Sequence, residues 1–168
     1  MAGRAPKAPR GLGARAGRGR ARFALVASRF HEAISKALVD GAVAALAARG
    51  VGGARVEVHW VPGSFELPQA ALALARSRRY AAIACLGVVI RGGTPHFEHV
   101  SRETAAGIQQ VALETGVPVT FGVITALTEE QAWERAGGAV GHRGEEAALA
   151  ALAMAEWLPR ARRGDGRR

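Results

Sequence analysis

This chain of 168 residues has one cysteine, one tyrosine and an aromatic share of only 5%. A single cysteine rules out an internal disulfide, so the fold has to be held by its own core, and about half the residues are apolar enough to build one. Cys85 lies inside the apolar run Tyr80 to Ile90 with no activating neighbour, which reads as an inert buried thiol and suits a reducing compartment. No apolar run approaches the roughly 18 residues of a membrane span, and the N-terminal segment lacks the apolar core of a secretory signal. The expectation is a soluble, cytoplasmic protein with no membrane partner. Also missing are a Ser-His-Asp order, a Walker lysine and a dinucleotide fingerprint in a strand-turn-helix context. The five histidines, His31, His59, His96, His99 and His142, show no zinc-like spacing with cysteine or carboxylate.

Acid is missing from one region in particular. Residues 1–22 carry seven Arg or Lys and no Asp or Glu; residues 159–168 carry five Arg and one Asp. Those ends hold a surplus of eleven positive charges against a net +9 for the chain, which leaves the body 23–158 at −2. That division argues for disordered basic extensions on an enzyme-like domain rather than for a basic binding face, with weak polyanion contact by the extensions as a secondary expectation. The Arg- and Ala-rich beginning has some likeness to a transit peptide but lacks its serines and amphipathic pattern. The predicted organisation is an extension over 1–21, one domain over 22–158 and a tail over 159–168, with no internal repeat.

Within the body, short β-type runs alternate with helical patterns, the sequence form of a parallel sheet covered on both faces. Strands are predicted at Phe23–Ser28, Val56–Val61, Ala81–Ile90 and Val117–Thr125. Helices are predicted at about Glu32–Arg49, Phe65–Ser77, His96–Glu114, Glu129 to about Ala136, and Glu145–Leu158. Thr128-Glu129-Glu130-Gln131 has the form of a capping box, and Gly137-Gly138 with Gly141 are read as breakers.

Ligands of such sheets gather at the carboxyl ends of the strands. There the sequence places Phe30, the run Ser64-Phe65-Glu66, the loop Arg91-Gly92-Gly93-Thr94 with His96 behind it, and Phe121–Thr125. A glycine-rich turn opening a helix offers backbone donors to an anion, and His96 beside it can carry a proton near neutral pH. Phe30 can stack on a planar heterocycle or serve as a hydrophobic staple. Glu66 can accept from hydroxyls or complement a helix dipole. Arg135 can anchor a phosphate or pair with a surface acid. His96 and His99 share one helix face, with His99 read as a packing or capping residue.

Five separate motifs occur together in one order: Ser28-Arg29-Phe30, the run from Trp60 to Pro68, the run from Leu86 to Glu98, Phe121-Gly122-Val123, and Glu134-Arg135-Ala136-Gly137. On these the chain from Arg22 to Trp157 resembles the lumazine synthase family. The resemblance implies a flavodoxin-like three-layer α/β/α sandwich with a four-stranded parallel sheet. It implies an enzyme, a transferase of riboflavin biosynthesis, that condenses 5-amino-6-(D-ribitylamino)uracil with 3,4-dihydroxy-2-butanone 4-phosphate to 6,7-dimethyl-8-ribityllumazine, releasing phosphate and water. No metal or organic cofactor is implied.

In the family pattern His96 is the proton carrier, and Arg135 with Gly93 and Thr94 holds the phosphate. Phe30 stacks on the pyrimidine, and Ser64, Phe65 and Glu66 meet the ribityl side. Val88, Val89 and Ile90, with Phe121 from a neighbouring subunit, complete the pocket. Arg143 stands where relatives often have an active-site lysine, Ala139 replaces another lysine, and His31 stands where many have asparagine. The family also implies a homopentamer, and the short Gly137–Gly144 connection leans towards a shell of 60 subunits. The competing readings are a noncatalytic lumazine- or flavin-binding or shell-forming relative, and a polyanion-binding assembly acting through its ends.

Overall fold

The computed structural model describes residues 21–162. Strand β1 (Phe23–Ser28) lies at the centre, between β2 (Val56–Val61) and β3 (Ala82–Ile90), and β4 (Val119–Ala126) follows β3. The sheet order is β2-β1-β3-β4 and every pairing is parallel. Parallel neighbours need crossovers, which helices α1 (Glu32–Ala48), α2 (Leu67–Arg76) and α3 (His96–Thr115) supply. The short α4 (Glu129–Glu134) and the long α5 (Arg143–Arg162) follow β4.

Because strand side chains alternate between faces, β1 and β3 feed two cores. Phe23, Leu25 and Ala27 meet Leu38, Leu46 and Leu152 from α1 and α5 on one side. Ala24 and Val26, with Ile83 and Cys85 of β3, meet Leu67, Ala71, Ile108 and Val111 from α2 and α3 on the other. The result is the expected three-layer α/β/α sandwich. β3 is buried along all but its last residue, which accounts for its unbroken apolar sequence.

Several boundaries differ from those read in the sequence, each for a local reason. The helix expected at Phe65–Ser77 is divided into a 3-10 turn at Ser64–Glu66 and α2 proper, with Pro68 accommodated in the first turn of α2. α4 stops at Glu134, because the glycines after it build a small antiparallel hairpin, β5 (Ala136–Gly138) with β6 (Gly141–His142), instead of a plain break. Gly137 (φ 117°) and Gly141 (φ 132°) sit in backbone regions open to glycine. The Thr128 hydroxyl caps α4 by accepting from the Gln131 N–H at 3.3 Å. The Gln131 side chain reaches back to the Leu127 N–H at 3.0 Å, one residue earlier than in a regular capping box.

α5 begins at Arg143 and runs on to Arg162, past the expected end at Leu158. The Arg162 guanidinium holds its last turn by donating to the Gly116 carbonyl at 2.9 Å. The rest of the two predicted basic extensions, residues 1–20 and 163–168, lies outside the described residues. Among the described residues no helix is long and apolar enough to cross a membrane.

Candidate active site

The carboxyl ends of β1, β2 and β3 open into one cavity of about 600 Å³. Three connections build it. After β1 the chain turns outward, tied to the end of β2 by Arg29 N–H to Val61 O at 2.8 Å and Phe30 N–H to Pro62 O at 3.1 Å, and leaves the Phe30 ring 68% exposed on the cavity wall. Phe65 of the same cavity is also exposed, so the two rings form an open apolar pair on its lining. His31 follows at φ 57°, and its ring meets Phe30 edge-on at 4.9 Å between centroids. That left-handed backbone is one that histidine, like asparagine and aspartate, adopts more readily than most side chains.

After β2 the 3-10 turn contributes Ser64, Phe65 and Glu66. Phe65 is 57% exposed, whereas Ser64 is nearly buried, and its hydroxyl donates inward to the Val88 carbonyl at 3.4 Å. The Ser64 carbonyl in turn accepts from the Thr104 hydroxyl of α3 at 3.2 Å. Gly87 makes this seam feasible: a Cβ there would stand 2.7 Å from the Ser64 Oγ and 2.9 Å from the Ser28 Oγ. Ser64 therefore fastens the turn to β3 and α3 as well as lining the cavity.

The end of β3 contributes Val88, Val89 and Ile90, the loop after it Gly92 and Thr94, and α3 contributes His96 at its first position. The N–H groups of Glu98 and His99 close on the Pro95 carbonyl. Those of His96 and Phe97 come before the first intrahelical bond and have no helical acceptor of their own, an arrangement that suits an anion. A Cβ at Gly92 or Gly93 would meet nothing within 4 Å, so the loop is open on its outer side. His99 also lines the cavity, one turn on from His96 and beside Val100. The shared helix face was visible in the sequence; what it faced was not.

Of the residues singled out in the sequence, the cavity brings together Phe30, Ser64, Phe65, Glu66, Val88, Val89, Ile90, Thr94 and His96, with Gly93 in its loop. Three others do not line it. Phe121 is the third residue of β4, opposite Cys85 in the register, so it stands near the start of that strand and not among the carboxyl ends expected from the sequence. Its side chain is 39% exposed. Arg135 closes α4, with its guanidinium donating to the Gln131 carbonyl at 3.0 Å. Arg143 pairs with Glu146 at 2.8 Å. The hairpin makes these two arginines neighbours, since the Arg143 N–H donates to the Arg135 carbonyl at 2.8 Å.

Cys85 is fully buried, and burial pushes its thiol up to about 12, which removes it as a nucleophile at neutral pH. Among the described residues, no group of three His, Cys, Asp or Glu side chains is placed to hold a metal ion.

The family model for 6,7-dimethyl-8-ribityllumazine synthase matches residues 20–158, nearly the span over which the sequence motifs run. A 6,7-dimethyl-8-ribityllumazine synthase from Syntrophus aciditrophicus (strain SB) is 50% identical over 137 residues, covering 82% of this chain and 89% of the relative. With the parallel sheet, the three-connection cavity and the histidine-led helix already in place, these matches are decisive: the chain belongs to the 6,7-dimethyl-8-ribityllumazine synthase family.

Proposed function

We propose that the cavity at the carboxyl ends of β1 to β3 is where this enzyme carries out its family's reaction, the condensation of 5-amino-6-(D-ribitylamino)uracil with 3,4-dihydroxy-2-butanone 4-phosphate to 6,7-dimethyl-8-ribityllumazine. The carrying observation is that one cavity gathers an exposed aromatic ring, a carboxylate, an open glycine loop at a helix start and an imidazole. Phe30 stacks on the pyrimidine and Glu66 accepts from ribityl hydroxyls, while the Gly93-Thr94 loop meets phosphate. The amine adds to the ketone, water leaves as the Schiff base forms, phosphate is eliminated, and the second amine closes the ring with loss of a second water. Each step moves a proton, and His96 is the group placed to carry it. General acid–base assistance is worth about 10²–10⁴-fold, so a large share of the rate comes from holding two substrates in contact.

Phe121, Arg135 and Arg143 lie outside the cavity of their own chain, and this favours a site completed by a neighbouring copy in a ring of identical subunits. We read that ring as a homopentamer, and the tight Ala136–His142 hairpin as compatible with assembly of pentamers into a 60-subunit shell. Cytoplasmic residence is the reading that best suits a single buried thiol.

The test is lumazine formation from the two purified substrates, followed by absorbance and fluorescence. Native protein exceeds the uncatalysed background, and His96→Ala and Arg135→Ala each lower the rate. Co-expressed in one assembly, the two variants restore about a quarter of the native rate, because random placement in a head-to-tail ring leaves about that share of sites with both residues intact. Background-level formation by the folded native protein overturns the enzymatic reading. Absence of any restoration overturns the shared site.

A further inference from the structure

The charges of the described residues fall at two opposite poles. In a parallel α/β sandwich, strands start and crossover helices end at the same edge of the sheet, the edge away from the cavity. At that edge stand Arg22 before β1, Arg55 before β2, and Arg78 and Arg79 ahead of β3. Arg49 ends α1, Arg76 ends α2, and Arg160 and Arg162 end α5. Contacts confirm that the edge is shared: Glu57 of β2 binds Arg22 at 3.0 Å and Arg79 at 3.2 Å, and Arg162 reaches Gly116 just after α3. Eight arginines there face three glutamates, a surplus of five positive charges. Glu57 is held by Arg22 and Arg79, Glu114 accepts from Gln110, and Glu156 is buried. The opposite end collects Glu32, Glu66, Glu98, Glu129, Glu130, Glu145 and Glu146 at helix starts against Arg29, Arg91, Arg135 and Arg143, a surplus of three negative charges.

Helix dipoles explain part of this, since cations favour helix ends and acids favour helix starts. They do not explain Arg22, Arg55 and Arg79, which precede strands, because sheets carry little net dipole. Arg78 stands just past α2, where the dipole favours a cation but the backbone disfavours any side chain. Its φ is 57°, the left-handed position after a helix where glycine is the usual residue, and the chain places there a long cation with no ion pair or side-chain hydrogen bond to the described residues. The corresponding position after α1 is Gly50. Every cation of this face is arginine, whose planar fork fits phosphate oxygens in pairs. Both basic end segments join the fold here, at Arg22 and Arg162.

We propose that this arginine edge, opposite the catalytic cavity, is a binding face for nucleic acid, held through its phosphates without base-specific contacts. Arg49, Arg76 and Arg78, none in an ion pair with the described residues, supply the face's uncommitted charge. Repetition of the face on every subunit of an assembly multiplies its avidity.

The test is fluorescence anisotropy of the full-length protein with a labelled 20-nucleotide single-stranded RNA across a salt series. Each lost phosphate contact lowers the log–log salt slope by about 0.7 on a single strand, so R49Q/R76Q/R78Q lowers it by about 2 and weakens binding tenfold to a hundredfold near 0.1 M salt. Lumazine formation by this variant stays native. The same loss is expected in a background with all six cations of residues 1–20 changed to glutamine, which separates the face from the N-terminal segment. R78G loses affinity while its melting temperature holds or rises, the mark of a residue kept at a conformational cost. K36Q/R102Q, at exposed ion pairs elsewhere, leaves affinity nearly unchanged. The proposal is overturned if R49Q/R76Q/R78Q binds like the native protein, if its loss vanishes in the neutralised background, or if K36Q/R102Q weakens binding as much per charge.

Discussion

Gly144 is the position where one methyl group should do the most damage. It is buried in the first turn of α5, where that helix meets the backbone of α1. A Cβ there would stand 2.7 Å from the Leu38 carbonyl carbon and 2.9 Å from its Cα, and closer still to the carbonyl oxygen. Ordinary contact begins at 3.4 Å, and the obstacle is helix backbone, which cannot rotate away as a side chain could. Gly144→Ala must therefore push α5 off α1 along a core that includes Leu38, Ala147, Ala148 and Ala151. Overpacking of this kind costs about 1–3 kcal/mol, and rigid backbone on both sides places the cost at the upper end. For a domain of this size that lowers the thermal midpoint by about 5–12 °C. The assay is far-UV circular dichroism at one fixed protein concentration, since assembly makes the midpoint concentration-dependent. Gly52→Ala is the matched control: its Cβ would meet nothing closer than 3.8 Å, in extended backbone, and its midpoint stays within about 1 °C or rises slightly. Gly144→Ala should also impair turnover, because the Arg143 N–H that moves with α5 is bonded to the Arg135 carbonyl. A Gly144→Ala midpoint within about 1 °C of the native protein would refute the steric argument.

Other expectations are equally direct. Gly87→Ala should slow turnover as well as destabilise, because its methyl collides with the Ser64 and Ser28 hydroxyls that hold the cavity floor; steady-state kinetics beside a melt separate the two effects. The hydrogen bond from Tyr80, then the charges of Arg79 and Arg22, hold the Glu57 carboxyl below its ordinary range. A depressed carboxylate contributes stability above its unfolded pKa and loses it as pH falls through the folded value. Glu57→Gln should therefore be less stable than the native protein at neutral pH, with the gap closing on acidification, read from urea midpoints between neutral pH and pH 3. Cys85 should resist a thiol reagent in the native state and react fully in denaturant; rapid native labelling would contradict its burial.

Much of this protein is legible in the chain itself. An unbroken apolar run such as Ala82–Ile90 marks a strand covered on both faces, alternation marks the half-exposed β2, and glycines at 50 and 116 stop helices where a left-handed residue is needed. Local rules of this kind place His96 at a helix start behind an open loop, because the strand, the glycines and the helix are contiguous. The sequence reading failed where the answer depended on the partner of a segment. Phe121 looked like a strand-end residue until the register set it opposite Cys85. Gly137 to Gly141 looked like a break until Ala136 found His142 across a hairpin. Ser64 lines the cavity, and only the fold shows that its hydroxyl also donates to the Val88 carbonyl.

By itself the sequence determined the order of strands and helices, the two-faced core and the motifs of the site, since each depends on periodicity or on neighbours along the chain. Only the tertiary structure decided which residues share the cavity, that Arg135 and Arg143 stand together outside it, and that the charges of the described residues separate into an acidic end and an arginine edge. Net charge is a sum and carries no position. A parallel sheet gives it one, by bringing every strand start and every crossover-helix end to the same side of the molecule.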